Sequence, residues 1–435
     1  MNIVETVPNL TTTLTGPLRH IEEQLLGNQA LIEAWFRQQW LKTPAPFYAS
    51  VDLRNAGFKL APVDTNLFPA GFNNLNPAFI PLCVQAIQSI IERELPQACN
   101  ILLIPENHTR NTFYLESLVT LRDLILTAGF EVQVGSLLPD LKETMVIELP
   151  SGRTLDLIPI ERLRNRIYAD DFDPCMILLN NDLSDGIPEM LQGLEQRIIP
   201  PPELGWVQRR KSGHFGHYQQ VTEEFSMLLD LDPWLINPLF RRCSDINFMK
   251  QEGADRLAHE VGELLQEIQQ KYDEHGLKDQ PFVVVKPDAG TYGMGIMMVR
   301  SANEILELNR KQRTKMSASK GGQAVSQVII QEGVYSFETI GDEHAVAEPV
   351  VYMIDHFVVG GFYRVHTGRG PDENLNAPGM HFEPLAFAEP CNTPDQHQSP
   401  DASPNRFYAY GVIARLALVA AAREIAVQNA LRSQS

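Results

Sequence analysis

Apolar positions recur at two spacings along this chain, and the alternation between them marks its elements. Ile32, Trp35, Phe36 and Trp40 repeat at helical spacing, and Pro44 and Pro46 close that segment. This makes residues 1–50 an N-terminal helical unit whose aromatic face is read as core. From Val51 the period drops to two. Asn55-Ala56-Gly57 separates two alternating runs and predicts a hairpin within residues 51–75. Asn76-Pro77 then opens a helix with Phe79, Cys83, Ile87 and Ile90 on one face. Ile101 to Pro105, a helix striped by Tyr114, Leu118, Leu121 and Ile125, and Val132 to Gly135 follow in strand–helix–strand order. That order predicts a parallel sheet in an α/β unit over residues 76–240. Met145 to Leu149 with Thr154 to Ile158 reads as a hairpin, and Met176 to Leu179 as a buried strand.

Residues 241–435 begin with a helix marked by Leu257, Val261, Leu264 and Ile268. Next come strands at Phe282 to Val285, Ile296 to Val299 and Val328 to Ile330. A long hairpin, Glu348 to His356 and Phe357 to Val365, completes the set. Three stretches break the pattern. Ile198 to His217, with three prolines and three glycines, reads as loop, and Asn309 to Gln323 as a mobile polar loop. Thr393 to Asn405, rich in Pro and Ser, reads as flexible.

At 435 residues there is chain enough for two or three domains. The net charge of −18 disfavours nucleic-acid and anionic-membrane partners. Five cysteines without metal-ligand spacing read as buried thiols of a reducing compartment. No basic segment leads into an apolar core at the N-terminus, and charges interrupt the apolar run Tyr410 to Val427. A cytoplasmic protein acting on small molecules is the expectation, with a homo-oligomer left open.

The chemistry concentrates in two stretches. In Phe282 to Arg300, Lys286 ends a buried strand, and Gly290, Gly293 and Gly295 follow before the next. A lysine beside glycines that expose backbone N–H groups suits a polyphosphate, although a plain hairpin turn would use the same glycines. In the 51–75 hairpin, Asp52 and Asp64 fall on neighbouring strands, and alternation puts Asn66 on the face of Asp64. Such oxygens suit a hard cation such as Mg²⁺; the competing reading is turn chemistry. Arg209, Arg210 and Lys211 are either a solvated surface or a site for substrate anions. Lys250 is a second candidate nucleotide lysine or an exposed lysine at a helix start.

The order of Lys286 with its glycines, Gln331-Glu332-Gly333-Val334, Glu348, Arg364 and Asn374-Leu375-Asn376 resembles an ATP-grasp ligase of the glutathione synthetase branch over roughly residues 245–379. The resemblance implies an α+β fold with ATP and Mg²⁺ as cofactors. Lys286 and the 290–295 loop would hold the phosphates, Gln331 to Val334 would form the adenine hinge, and Glu348 would reach the nucleotide. Arg364 would face the transferred phosphoryl group, and Arg54, Asn374 and Asn376 would contact substrate. That branch carries its Glu-x-Asn metal motif after these strands, whereas Asp64-Thr65-Asn66 stands before them. The implied arrangement is a circular permutation or a different ligand set. Taken with the stretch from Val51 to Asn74, the chain resembles a bacterial family of glutamate–cysteine ligases over most of its length. The resemblance implies that ATP, glutamate and cysteine give γ-glutamylcysteine. Glutathione synthetase, another amino-acid ligase, and a non-catalytic nucleotide-binding protein are the alternatives.

Overall fold

The computed structural model describes residues 10–11, 17–290, 295–317, 324–384 and 407–432. Three sheets organise them. One of the two seven-stranded sheets is antiparallel and centres on Ala345–Ile354, buried at every position. Phe357–His366 pairs along one side of it, with Glu348 opposite Arg364. On the other side, the N-terminal strand Tyr48–Asn55 pairs from Val350↔Asp52 to Ile354↔Tyr48, and Leu60–Asn66 pairs outside that. The start of the chain thus completes the sheet built by its last third.

The hairpin turns as the sequence predicts. Asn55 Oδ1 accepts from Gly57 N at 3.0 Å, and Gly57 takes φ 72°, where a side chain would be strained. The register shifts between Asp52 and Leu53, so Asp52 faces Asp64 while Leu53 faces Pro62. Pro62 has no N–H to offer the ladder, and a bulge is one place where a strand accepts proline.

A small antiparallel sheet runs in the order Phe240–Ser244, Gln327–Glu332, Val283–Pro287, Met297–Val299. Helix Ala254–Glu274 backs it with Leu257, Val261, Leu264 and Ile268, the predicted stripe. The third sheet is parallel through Arg197–Ile199, Met176–Asn180, Asn100–Pro105, Glu131–Ser136 and Thr154–Leu163, with Met145–Glu148 antiparallel at its edge.

Helix Tyr408–Arg432 runs through the middle, against helix Lys211–Leu229 and the Leu60–Asn66 strand. Val412, Ile413, Leu416, Leu418 and Val419 are wholly or almost wholly removed from water. Each such side chain stabilises the fold by about 1.5–3 kcal/mol. Arg415 can be buried among them because Glu33 meets it bidentately at 2.8 and 2.9 Å and Phe36 lies 4.1 Å beneath its guanidinium. No helix among the described residues is long and apolar enough to cross a membrane.

Two loop expectations are corrected. Lys211–Leu229 is a helix, because Phe215, Tyr218, Val221, Phe225 and Leu229 are buried at helical spacing. Gly213 and Gly216 hide that period when the sequence is read only as far as His217. Arg310–Ser317 is also helical, with Met316 buried. Gly293 and the 393–405 stretch lie outside the described residues.

Candidate active site

A cleft opens between one face of the small sheet and the bulged hairpin of the large antiparallel one, with an empty volume of about 910 Å³ that includes solvent at its mouth. Alternation on the Val283–Pro287 strand sends Val283 and Val285 into the core and leaves Val284 and Lys286 on the cleft. One end of the cleft is apolar, formed by Val284, Ile296, Met298 and Val334 beside the 331–334 backbone. Gln331 lies there with its amide nitrogen buried and without a protein partner among the described residues. Gly333 N donates to Phe282 O at 2.8 Å, and a Cβ at Gly333 would come within 2.2 Å of the Phe282 ring. Only glycine fits that bend.

Glu332 turns its carboxylate out of the cleft. It accepts from Lys59 Nζ at 2.7 Å, Leu239 N at 2.9 Å and Trp234 Nε1 at 3.1 Å. Burial pushes the Lys59 ammonium down to about 8, against the pull of Glu332, and raises the Glu332 carboxyl. The ion pair fixes the hairpin tip to the Gln327–Glu332 strand.

The other end of the cleft is charged. Lys286 is 7% exposed and donates from Nζ to Val63 O at 2.8 Å. Burial brings its pKa down to about 8, although Asp64 works in the opposite direction. Asp52 and Asp64, opposite one another across the bulge, both line this end. Burial alone would raise the Asp64 carboxyl, but Lys211, Lys286 and Arg209 together hold it well below the usual carboxylate range. Arg364 donates from Nη1 to Asp52 at 3.1 Å and lies 3.5 Å from Glu348, which also pairs with Arg54. The Nε of Arg364 is buried without a partner among the described residues. At the cleft that nitrogen is placed to donate to an acceptor on a ligand.

The loop after Lys286 is stapled to the start of helix Lys211–Leu229. Asp288, fully buried, accepts from Ser212 N and Ser212 Oγ, both at 2.8 Å. Its carbonyl takes Lys211 N at 2.8 Å, and Gly290 N donates to Trp206 O at 2.6 Å.

A family model described as glutamate-cysteine ligase matches residues 22–425. The chain belongs to the glutamate–cysteine ligase family. It is 60% identical, with a TM-score of 0.89, to the solved structure of a candidate gamma-glutamylcysteine synthetase from Methylobacillus flagellatus KT; the match covers 98% of this chain and 100% of that one. A glutathione synthetase-like effector from Globodera pallida in its apo form matches at 8% identity and a TM-score of 0.36, over 84% of this chain and 80% of that one, a likeness too distant to carry any argument. No curated protein matches.

The ligase fold gathers most of the residues singled out in the sequence. Asp52, Arg54, Asp64, Lys211, Lys286, Gly290, Gln331, Glu332, Val334, Glu348, Arg364, Asn374 and Asn376 line one cleft. Gly295 takes φ 66° beside Pro287. Four of the expected residues lie elsewhere. Lys250 has 70% of its side chain exposed and sits 3.9 Å from Glu252 on the surface. Arg210 is exposed at the helix start. Arg209 is held bidentately by Glu424, both contacts at 2.9 Å, and Nη1 donates to Thr65 O. Asn66 closes a turn by accepting from Phe68 N at 2.8 Å, and lines only a side pocket next to the cleft. Lys59, Trp206 and Asp288 were not foreseen. Each acts through a partner more than seventy residues away or across the cleft, and local spacing carries no trace of that.

Proposed function

We propose that this ligase joins the γ-carboxylate of L-glutamate to the amino group of L-cysteine with ATP, on a circularly permuted ATP-grasp frame. The observation that supports it best is the convergence of Asp52 and Asp64 from the first hairpin with Lys286, Glu348 and Arg364 from the last third, between two antiparallel sheets. The same reading divides the chain at 50, 75 and 240 into a helical segment, the inserted hairpin, an α/β substrate unit and the nucleotide-binding unit.

The apolar end fits a purine, with the free Gln331 amide and the hinge backbone available to its edge. Lys286 faces the phosphates. A carboxylate oxygen of glutamate attacks the γ-phosphorus as the bond to ADP breaks, giving an acyl phosphate. The cysteine nitrogen then attacks the acyl carbon, loses a proton, and phosphate departs. Arg364, with its unpartnered Nε, offsets the charge on the moving phosphoryl group. Among the described residues no three His, Cys, Asp or Glu side chains cluster to hold a metal unaided. That suits Mg²⁺, which takes one or two carboxylates plus substrate phosphates. Asp52 and Asp64 would hold it, and when bound it would supply neutralisation of the triphosphate.

The test is incubation with ATP, Mg²⁺, L-glutamate and each amino acid in turn, reading phosphate release and product mass. Phosphate release that requires both glutamate and cysteine, with the mass of γ-glutamylcysteine, is expected. Release with a different pair, or without the second amino acid, would overturn the assignment.

A further inference from the structure

The basic side chains around the cleft differ in how firmly they are held. Arg209 is locked by Glu424, and Lys59 is sealed against Glu332. Arg364 is shared between Asp52 and Glu348. Lys211 is different: its ammonium lies 3.1 and 3.2 Å from the two oxygens of Asp64, a carboxylate whose side chain is 41% exposed to the cleft. A half-open pair of this kind exchanges more readily than a sealed one.

Asp64 is also one of the two carboxylates that the ligase reading gives to Mg²⁺. A divalent ion bonds carboxylate oxygens at about 2.1 Å. An ammonium on the same oxygens would then sit against a doubly charged cation, and the two would repel. One must leave. The backbone of Lys211 cannot follow its side chain, because Asp288 O holds Lys211 N at 2.8 Å and the Asp288 carboxylate holds Ser212. The ammonium therefore moves alone, on its four-carbon stem. It already lies 5.8 Å from the Trp206 ring, and Asp64, Trp206, Lys211 and Gly290 border both the cleft and the smaller side pocket.

We propose that Lys211 is an exchangeable cation: it neutralises Asp64 until a divalent ion arrives with the nucleotide, and then receives a carboxylate of the amino-acid substrate at the junction of the two pockets. This rests on the ligase reading above and adds an order to it. The metal–nucleotide binds first and creates the free cation that the amino acid needs. The Asp288–Ser212 staple keeps that cation at a fixed reach from the phosphate loop.

The experiment uses the full chain, calorimetry, and no turnover. L-Glutamate is titrated into wild type and Lys211→Met, with and without Mg²⁺ plus a non-hydrolysable ATP analogue; Mg²⁺ is titrated separately in the presence of the analogue. In the wild type, glutamate is expected to bind at least about tenfold tighter once Mg²⁺ and analogue are present, the scale of one charge-assisted hydrogen bond. Lys211→Met should weaken glutamate by at least about tenfold and abolish this enhancement. It should also tighten Mg²⁺, because Asp64 has lost its competitor. These opposite signs cannot come from a misfolded variant, which would lose both. Unchanged glutamate affinity in Lys211→Met, or weakening of metal and glutamate together in a variant that keeps the wild-type unfolding midpoint, would overturn the exchange. Wild type that binds glutamate under neither condition would instead overturn the ligase reading.

Discussion

Two sets of ion pairs meet the Tyr48–Asn66 hairpin from opposite sides, and they are built differently. Behind the hairpin, Lys59 with Glu332 and Arg209 with Glu424 are sealed; the first pair has 1% exposure on each side chain. On the cleft side, Arg364 with Asp52 and Lys211 with Asp64 stay partly open, the carboxylates 25% and 41% exposed. The sealed carboxylates also collect neighbouring donors: Trp234 and Leu239 on Glu332, His214 on Glu424. The open set instead leaves Arg364 Nε unmatched. Burial with full pairing marks a brace, and burial with an unmatched donor marks a surface shaped for something that arrives later. Each set contains one lysine and one arginine, so the type of cation alone does not separate them.

The sharpest way to break this comparison is at the brace. Lys59→Met leaves Glu332 buried without its cation, which is expected to destabilise the fold by about 3–5 kcal/mol. Urea unfolding measures it. Adding Glu332→Gln removes the stranded charge while keeping an acceptor for Trp234, and should restore at least half of the loss. If the single variant unfolds at the wild-type midpoint, Lys59 is no brace.

The cleft side should respond in function instead. Lys286→Met keeps the apolar stem and removes the charge. Turnover is expected to fall by at least about a hundredfold, as for loss of one electrostatic stabiliser. The unfolding midpoint should hold or rise, since Lys286 donates only to a backbone carbonyl in the contacts described. Near-normal turnover in this variant would remove the lysine from the phosphate end.

Why the sequence discloses one set and not the other follows from range. The hairpin, the parallel sheet and the strand that carries Lys286 rest on neighbouring residues, and period and turn chemistry are local signals. The cleft-side residues Asp52, Asp64, Glu348 and Arg364 stand out because they interrupt apolar strands, where a charge needs a reason. Arg209 and Lys211 look alike in sequence, yet one is spent on Glu424 of the last helix and the other opens on the cleft. Which does which depends on helix Lys211–Leu229, whose start falls among prolines and glycines that read as loop. Lys59 is masked for a similar reason. Placed just after a turn, it looks like a solvated hairpin lysine, and only the third-dimensional neighbour Glu332 shows it to be buried. The Asp288 staple joins residues 76 positions apart in sequence, beyond the reach of any periodicity.

The smallest expected effect is a dependence on pH that treats Lys286 as both a burden and a tool. Its ordinary pKa of 10.5 drops to about 8 in the folded protein, chiefly through burial. Below pH 8 both folded and unfolded chains hold the proton, and the fold carries the full cost of a buried charge. Between about 8 and 10.5 the unfolded chain still holds it while the folded chain does not, so this group makes stability rise with pH across that window. Lys59 shifts in the same direction, to about 8, and would blur the effect in wild type alone. Comparison with Lys286→Met isolates it. The methionine variant is expected to be the more stable at pH 7, and its advantage in melting temperature should narrow steadily from pH 8 upward. Over the same range the wild-type kcat/KM for ATP should fall, because the free enzyme loses the charge that the ligase proposal sets against the phosphates. The kcat limb should lie at higher pH, since bound triphosphate holds the proton on. A stability difference that stays constant from pH 7 to 9.5 would mean that Lys286 keeps its charge, and that the cleft is wetter around its ammonium than the packing against Val63 and Phe215 implies.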